Sequence, residues 1–260
     1  MITILLHSSK TMKRRLSDKP LRQPQLLHEA SELAAYVKTL PADELKKTMR
    51  ISSSLAEKTH TLMAQWDTRS SDQSLAIDSF VGDIYSGLRA SELSKEERDY
   101  ADQTLRILSG LYGIIRPYDG ISPYRLEMAY KFSQSPFDNL YSFWGNKIAK
   151  TLPSSGPIVN VSSVEYTKAV LPFIDTSRVI TPRFLTEDPK TKEPTFIVVH
   201  AKIARGAFAR WLIISKITDP ARFSEFSDIG YVYNDRLSTP AEPTFVCQSF
   251  RGIGLSMRLS

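Results

Sequence analysis

Two short, mainly apolar runs mark the segments that the sequence predicts to be buried strands. Residues 2–6 and residues 158–161 are apolar apart from Thr3 and Asn160. A short apolar run bounded by polar residues is typical of a strand in the protein core. The first run leads into the segment His7-Ser8-Ser9-Lys10-Thr11, which would bring hydroxyl groups and a lysine to the end of a strand.

Helical spacing of apolar residues dominates residues 24–66, and Pro41 divides that stretch. Two short helices are predicted after the proline, at residues 42–49 and 53–66. Further helices are predicted at residues 147–152 and 202–216, and Ser94 and Glu97 have the spacing of a capping box. Gly206 lies inside the last helix at a cost of about 1 kcal/mol relative to alanine, so we expect a close backbone approach there.

The remaining strands are predicted in the second half of the chain. Residues 178–184 and 195–199 form a possible hairpin around the polar loop 186–193, and residues 230–233 and 244–250 form late strands. The sequence therefore predicts a mixed α/β (α+β) fold, in which a mixed sheet is flanked by helices. We expect one domain over residues 1–260, with a helical insertion near residues 25–66.

Residues 106–131 combine charged side chains, glycines and prolines with short apolar runs. A helix is predicted to end at Gly110 or Gly113, turns are predicted at residues 119–120 and 122–123, and residues 124–128 alternate as a strand does. A buried arginine or glutamate needs a partner to offset its desolvation. Arg125 and Glu127 therefore indicate either a structural ion pair or a charged cleft.

The composition indicates the cellular compartment of the protein and the charge of its binding partners. No apolar run approaches the roughly 20 residues that cross a bilayer, and no basic segment precedes the apolar start, so neither a membrane span nor a secretory signal is expected. The single cysteine, Cys247, allows no intrachain disulfide and fits a cytoplasmic location. Its apolar neighbours indicate a packed side chain. The net charge of +6 favours anionic partners.

Cationic and polar residues at several predicted element ends are candidates for binding such a partner. Lys202, Arg205 and Arg210 lie within about 140° of one helix face. Asn160 ends an apolar run, and Ser162 either caps the next helix with Glu165 or offers its hydroxyl to a ligand. A basic run follows the first strand, and it is either a solvated loop or an anion-binding arm: Lys10, Lys13, Arg14, Arg15, Lys19 and Arg22.

Five segments of the sequence carry longer motifs. The longest is LRILSGLYGIIRPYDGISPYRLEM at residues 105–128. The others are FVGDIYSGL at 80–88, YSFWG at 141–145, NVSSVEY at 160–166 and AKIARGAFAR at 201–210. These segments resemble motifs of the YaaA family of peroxide stress proteins. The family wording SPAKT is replaced by HSSKT at residues 7–11, which keeps the lysine and the threonine. The resemblance covers most of the chain in the same order.

The resemblance implies DNA binding and protection against oxidative damage, together with a helix-hairpin-helix element. Residues 41–66 are the candidate for that element, with the polar residues Lys46, Lys47, Arg50, Ser52 and Ser53. In such elements hairpin amides and helix N-termini receive a phosphate. The hairpin contains no glycine, so a purely structural pair of helices remains the alternative.

Two classes of function fit a cationic cleft. The first is DNA binding during peroxide stress, with the anion-binding set Lys10, Arg116, Arg125, Asn160, Ser162, Lys202, Arg205 and Arg210. The second is an enzyme acting on a small anion, possibly a nucleotide, with Lys10, Glu127 or Lys202 as acid, base or nucleophile. An interaction scaffold is a third possibility. No metal or cofactor motif is present in the sequence, so none is expected.

Overall fold

The computed structural model describes residues 1–15, 21–68, 73–132 and 136–254. Its fold is mixed α/β, as the sequence predicts. The helices are α1 (Leu27–Lys38), α2 (Ala42–Met49), α3 (Ser53–Ala64), α4 (Ala76–Ser79), α5 (Asp83–Leu88), α6 (Lys95–Thr104), α7 (Leu140–Trp144), α8 (Lys147–Lys150), α9 (Val164–Thr167) and α10 (Val198–Ile214). Short 3-10 helices are Ala90–Glu92, Leu171–Phe173, Thr176–Arg178, Pro220–Glu225 and Asp235–Leu237. The strands are β1 (Thr3–His7), β2 (Thr11–Met12), β3 (Ser74–Leu75), β4 (Phe80–Val81), β5 (Leu105–Ser109), β6 (Gly113–Ile115), β7 (Gly120–Ile121), β8 (Ile158–Asn160), β9 (Val179–Ile180), β10 (Arg183–Glu187), β11 (Pro194–Thr195), β12 (Tyr231–Tyr233) and β13 (Thr244–Cys247).

The largest sheet has the strand order β6-β5-β1-β8-β9, with β1 at its centre. Strands β5, β1, β8 and β9 run parallel, and β6 returns antiparallel to β5. The two apolar runs expected to be strands are β1 and β8, and both are buried almost completely. Because these strands are parallel, β1, β5 and β8 end at the same edge, where ligands bind in many open α/β sheets.

A second sheet, β11-β10-β13-β12, packs through aromatic rings against α10. Phe184 of β10 and Phe245 of β13 stack at 5.4 Å, and Phe208 of α10 lies 5.5 Å from Phe245. The predicted hairpin forms between β10 and β11, with Thr186 opposite Thr195. Its predicted strand bounds are wrong: residues 179–180 form β9 in the largest sheet, and the strand expected at residues 195–199 ends at Thr195, before α10 begins at Val198. Cys247 is buried as expected, and burial raises the pKa of its thiol. In the described ranges, no helix combines the length and hydrophobicity that a bilayer crossing requires.

The central segment differs from its prediction in two places. The helix expected to reach Gly110 or Gly113 ends at Thr104, and β5 follows directly. Every residue of β5 is buried, and the strand lies between β1 and β6. A fully buried strand does not alternate between apolar and polar residues, so its sequence can be taken for part of a buried helix. Residues 124–128 form no strand. They lie against Gly110, where an added Cβ would be 2.3 Å from the carbonyl oxygen of Leu126.

The two helices predicted after Pro41 are α2 and α3, and a three-residue turn joins them. Arg50 takes a left-handed conformation at the end of α2, with φ of 51°, where glycine is the usual residue. Ser52 caps α3 by accepting a hydrogen bond from the amide of Leu55. Trp66 then donates to the hydroxyl of Tyr112 at 2.9 Å. This bond connects the helical region to the segment after β5.

Helices α5 and α10 cross at two glycines, which confirms the close approach expected at Gly206. A Cβ on Gly206 would lie 1.8 Å from the carbonyl oxygen of Ile84, and one on Gly87 would lie 2.0 Å from that of Ile203. Only glycine permits two helix backbones to lie this close together. The crossing fixes the first turns of α10, including Lys202, beside the start of α5.

We predict that Gly206→Ala destabilises the protein by about 2 kcal/mol or more because the new methyl group overlaps a backbone oxygen that cannot move independently. Helix propensity alone predicts the opposite sign, a gain of about 1 kcal/mol. Chemical denaturation measures the change. The exposed helical substitution Ser54→Ala is the control and should alter stability by less than about 0.5 kcal/mol. A stabilised Gly206→Ala protein would contradict the crossing geometry.

Candidate functional site

A cleft of about 610 Å³ opens at the edge where β1, β5 and β8 end. We call it the main cleft. Its walls come from the segment after β1, the turn between β4 and α5, the start of α9 and the first turns of α10. The lining residues are His7, Ser8, Ser9, Lys10, Thr11, Val81, Gly82, Asp83, Ile84, Glu127, Ser163, Val164, Glu165, Tyr166 and Lys202.

A line of buried hydrogen bonds forms the floor of the main cleft. Ser8 Oγ donates to the Tyr166 hydroxyl at 3.2 Å, and the Tyr166 hydroxyl donates to Glu127 Oε1 at 3.0 Å. The ammonium group of Lys10 lies 3.9 Å from Glu127 Oε2. Ser8, Tyr166 and Glu127 are all at least nine-tenths buried. Three segments that are distant in the sequence therefore meet at one carboxyl group.

Burial raises the pKa of the Glu127 carboxyl, and the nearby Glu165 carboxylate raises it further. Lys10 and the Tyr166 hydrogen bond oppose this shift without cancelling it. Burial also raises the pKa of Tyr166 well above its ordinary value, with Glu127 adding to the effect. Tyr166 is consequently a permanent hydrogen-bond donor, whereas the Glu127 carboxyl holds its proton to a higher pH than an exposed glutamate does.

His7 is a neutral imidazole held in one tautomer. Its Nδ1 accepts a hydrogen bond from the amide of Ser163 at 3.2 Å, so the ring proton is assigned to Nε2. Burial lowers the pKa of His7 to about 3, and the charges of Arg205 and Lys202 lower it as well. The ring stacks on Tyr166 with centroids 5.1 Å apart. His7 therefore contributes a neutral hydrogen-bond donor rather than a positive charge.

The cations of α10 separate into two groups. Lys202 is exposed and lines the main cleft, and Arg205 lies one turn further along, close enough to influence His7. Arg210 faces elsewhere: its Nη1 donates to the carbonyl of Arg89 at 3.0 Å, and its Nη2 lies 3.4 Å from Glu92. The three residues share a broad helix face, but only its first part reaches the cleft.

Two other members of the anion-binding set, Asn160 and Arg116, are not among the residues that line the main cleft. Asn160 Nδ2 donates to Thr181 Oγ1 at 3.2 Å, and its Oδ1 accepts from the amide of Ser162 at 3.1 Å. Arg116 follows β6, which runs antiparallel to β5, and its amide donates to Asp119 at 2.7 Å. Arg116 therefore lies toward the opposite edge of the sheet from the main cleft.

The capping box expected at Ser162 and Glu165 is wrong. Ser163 precedes α9, and Glu165 instead accepts a hydrogen bond from the amide of Ala129 at 3.0 Å. Ser162 Oγ is buried without a hydrogen-bond partner among the described residues. The segment after β8 lies against residues 127–130. Because the Glu165 carboxylate accepts the hydrogen bond from Ala129 there, it does not cap α9.

Arg125 and Glu127 do not form the simple ion pair that one interpretation of the sequence expected. Arg125 Nη1 donates to the carbonyl oxygen of Lys10 at 3.2 Å, whereas Lys10 is the cation paired with Glu127. Of the basic run after β1, Lys10 reaches the main cleft and Arg22 pairs with Asp102 and Asp119. Lys19 lies outside the described residues.

The polar residues of α2 and α3 form a separate surface. Lys46, Lys47, Arg50 and Ser53 are exposed, and none of them lines the main cleft. The convergence expected from the sequence therefore involves Lys10, Glu127 and Lys202, with Arg205 behind them. Sequence reasoning missed His7, Asp83 and Tyr166. The positions of His7 at the end of an apolar run and of Asp83 and Tyr166 within family motifs were the available signals.

We predict that Glu127→Gln becomes more stable relative to the unchanged protein as the pH rises. The folded-state pKa of Glu127 is raised, so its contribution to stability is complete below the ordinary value of 4.5 and is lost as pH rises through the folded pKa. Glutamine resembles the protonated acid and keeps the acceptor for Tyr166. Urea denaturation between pH 4 and 8 measures the difference.

Tyr166→Phe is the opposing variant, because it removes a hydrogen bond that lowers the pKa of Glu127. It should make the loss of stability with rising pH steeper. If neither variant alters the pH dependence, the carboxyl group is not buried in the way described here.

Comparison with known proteins identifies the family to which the chain belongs. The family model described as "Peroxide stress protein YaaA" matches residues 2–237. A UPF0246 protein of Salinispora tropica is 53% identical over 256 residues, covering 98% of this chain and 97% of its own. UPF0246 proteins of Ruegeria pomeroyi and Burkholderia orbicola are each 39% identical, covering 88% and 82% of this chain and 92% and 85% of theirs. The chain therefore belongs to the YaaA family of peroxide stress proteins, also named UPF0246.

Proposed function

We propose that the protein acts in the peroxide stress response by binding, and chemically transforming, a phosphate-bearing ligand of nucleotide size in the main cleft. The observation that carries this proposal is the position of Lys10 and Lys202 in one cleft above the buried Glu127–Tyr166 hydrogen bond. Small-ligand sites typically have volumes of about 300 to 1,000 Å³, and the main cleft, at about 610 Å³, falls in that range.

The mixture of charges in the main cleft favours a small ligand over a nucleic-acid backbone. Asp83, Glu127 and Glu165 line the cleft together with the two lysines. A continuous phosphate backbone would bring several negative charges close to these carboxylates. A single phosphate can instead lie between Lys10 and Lys202, whose ammonium groups offer several donors each.

The buried groups beneath that position supply acid–base chemistry. A carboxyl with a raised pKa is better suited to general acid–base catalysis than an ordinary exposed carboxylate. We assign this role to Glu127, which Tyr166 orients through its hydrogen bond. Lys10 and Lys202 bind the anion, and the Nε2–H of His7 provides a neutral donor to the ligand. A protein that only binds an anion has no need for a buried carboxyl at its centre.

We predict that a nucleoside monophosphate or diphosphate raises the melting temperature of the protein, because a ligand that binds only the folded state stabilises it. Lys202→Ala should weaken this binding about tenfold, as expected for the loss of one charge-assisted contact. Titration calorimetry measures the affinity. Lys150→Ala, an exposed lysine of α8 outside the main cleft, is the control and should bind normally.

Glu127→Gln separates binding from catalysis in the same assay. It should keep the affinity within about threefold, a difference below 1 kcal/mol, and abolish turnover of any ligand that the unchanged protein converts. Absence of binding across the nucleotide set, or equal effects of Lys202→Ala and Lys150→Ala, would contradict the proposal.

DNA binding is the second candidate function, and the exposed cations of α2 and α3 favour it. Lys46 and Lys47 lie in the last turn of α2 and Arg50 lies in the turn that follows, and all three are exposed. This surface has no lining residue in common with the main cleft. We propose it as the helix-hairpin-helix-like element of the protein.

For this candidate we predict that log affinity for duplex DNA falls with log salt by about 0.9 for each phosphate neutralised. The double substitution Lys46→Ala and Lys47→Ala should reduce that slope by about 1.8. Fluorescence anisotropy over a salt series measures it. Lys202→Ala should leave the slope unchanged, and a reduction caused by Lys202→Ala alone would indicate that duplex DNA binds in the main cleft.

A further inference from the structure

A second cleft of about 310 Å³ adjoins the main cleft. We call it the side cleft. The two clefts share Lys10 and Thr11, so the chain between β1 and β2 forms the ridge between them. The side cleft is lined by Lys10, Thr11, Met12, Leu55, Lys58, Thr59, Leu62, Pro123, Tyr124 and Arg125.

The chemistry of the side cleft differs from that of the main cleft. Lys10, Lys58 and Arg125 line it, and none of the described residues that line it is acidic. Its remaining walls are mainly apolar, with Leu55 and Leu62 on one side and Pro123 on the other. A space with two cations of its own, Lys58 and Arg125, and mainly apolar walls suits a group that carries a phosphate on a less polar body, such as a nucleoside.

Arg125 is positioned to present its guanidinium group in this space. Its Nη1 donates to the carbonyl oxygen of Lys10 at 3.2 Å, which fixes the side chain along the ridge. Its Nε is buried and has no hydrogen-bond partner among the described residues. The Arg125 side chain as a whole is only partly buried and lines the side cleft, so its remaining guanidinium donors can reach a phosphate there. Lys10 extends from the same ridge toward Glu127, on the side of the main cleft.

We infer that the side cleft binds the second phosphate of an extended ligand whose terminal nucleotide occupies the main cleft. The ligand class is therefore a single-stranded oligonucleotide end. This inference rests on the proposed function of the main cleft. Because the chain of Lys10 and Thr11 lies between the clefts, the two phosphates must be separated by a linker, as they are by a sugar in a nucleic-acid strand. The adjacent phosphates of a nucleoside diphosphate would stay on one side of the ridge.

The test compares the affinities of a 5′-phosphorylated mononucleotide and the corresponding dinucleotide for the complete chain by titration calorimetry. The unchanged protein should bind the dinucleotide about fivefold more tightly, the gain expected from one further exposed charge contact. Lys58→Ala should remove that gain and leave the mononucleotide affinity unchanged. Lys58→Arg should retain the gain, because arginine also binds phosphate.

The controls separate failure of this inference from failure of the proposed function. Lys150→Ala should leave both affinities unchanged, and Lys202→Ala should lower the affinities for both ligands by the same factor. If the mononucleotide binds but the dinucleotide gains nothing, or if Lys58→Ala weakens both ligands equally, the side cleft is not a second subsite and the proposed function stands. If neither ligand binds the unchanged protein, both proposals are overturned.

Discussion

The cost of burying one carboxyl group shapes the site of this protein. Glu127 is 8% exposed, and a buried carboxylate without partners would be prohibitively unstable. Tyr166 donates to it from the start of α9, Ser8 donates to Tyr166 from the end of β1, and Lys10 provides the nearby charge. These interactions hold the carboxyl edge of the central sheet together, and Ser8, Lys10 and Tyr166 both line the main cleft and support Glu127.

The position of Lys202 depends on a different constraint. The first turns of α10 reach the cleft because the backbones of α5 and α10 touch at Gly87 and Gly206. Larger side chains at these two positions would move α10 outward and take Lys202 away from Lys10. One side of the cleft is therefore set by a buried polar contact and the other by close packing of two helices.

The sequence predicted part of this arrangement, and physical reasons explain the rest. The apolar runs of β1 and β8 and the helical pattern of α10 were sufficient to place Lys10 and Lys202 near strand and helix ends. Strand β5 was mistaken for helix because a fully buried strand has no alternation to reveal it. Arg210 and Arg116 belong to the predicted cleft set, but Arg210 pairs with the Arg89 carbonyl and with Glu92, and Arg116 follows β6, whose partner in the sheet is β5. Such partners depend on tertiary contacts, which a single sequence does not encode in any local pattern.

The charges around Glu127 only partly offset the cost of burying its carboxyl group. Lys10 is exposed over 59% of its side chain and lies 3.9 Å from the carboxylate, so it offsets only part of the burial cost. Glu165 adds to that cost, since its charge also disfavours ionisation of Glu127. A protein shaped by stability alone would replace the carboxyl group with an uncharged one. Its retention is accounted for if the proton on Glu127 is transferred to or from a ligand held by the two lysines.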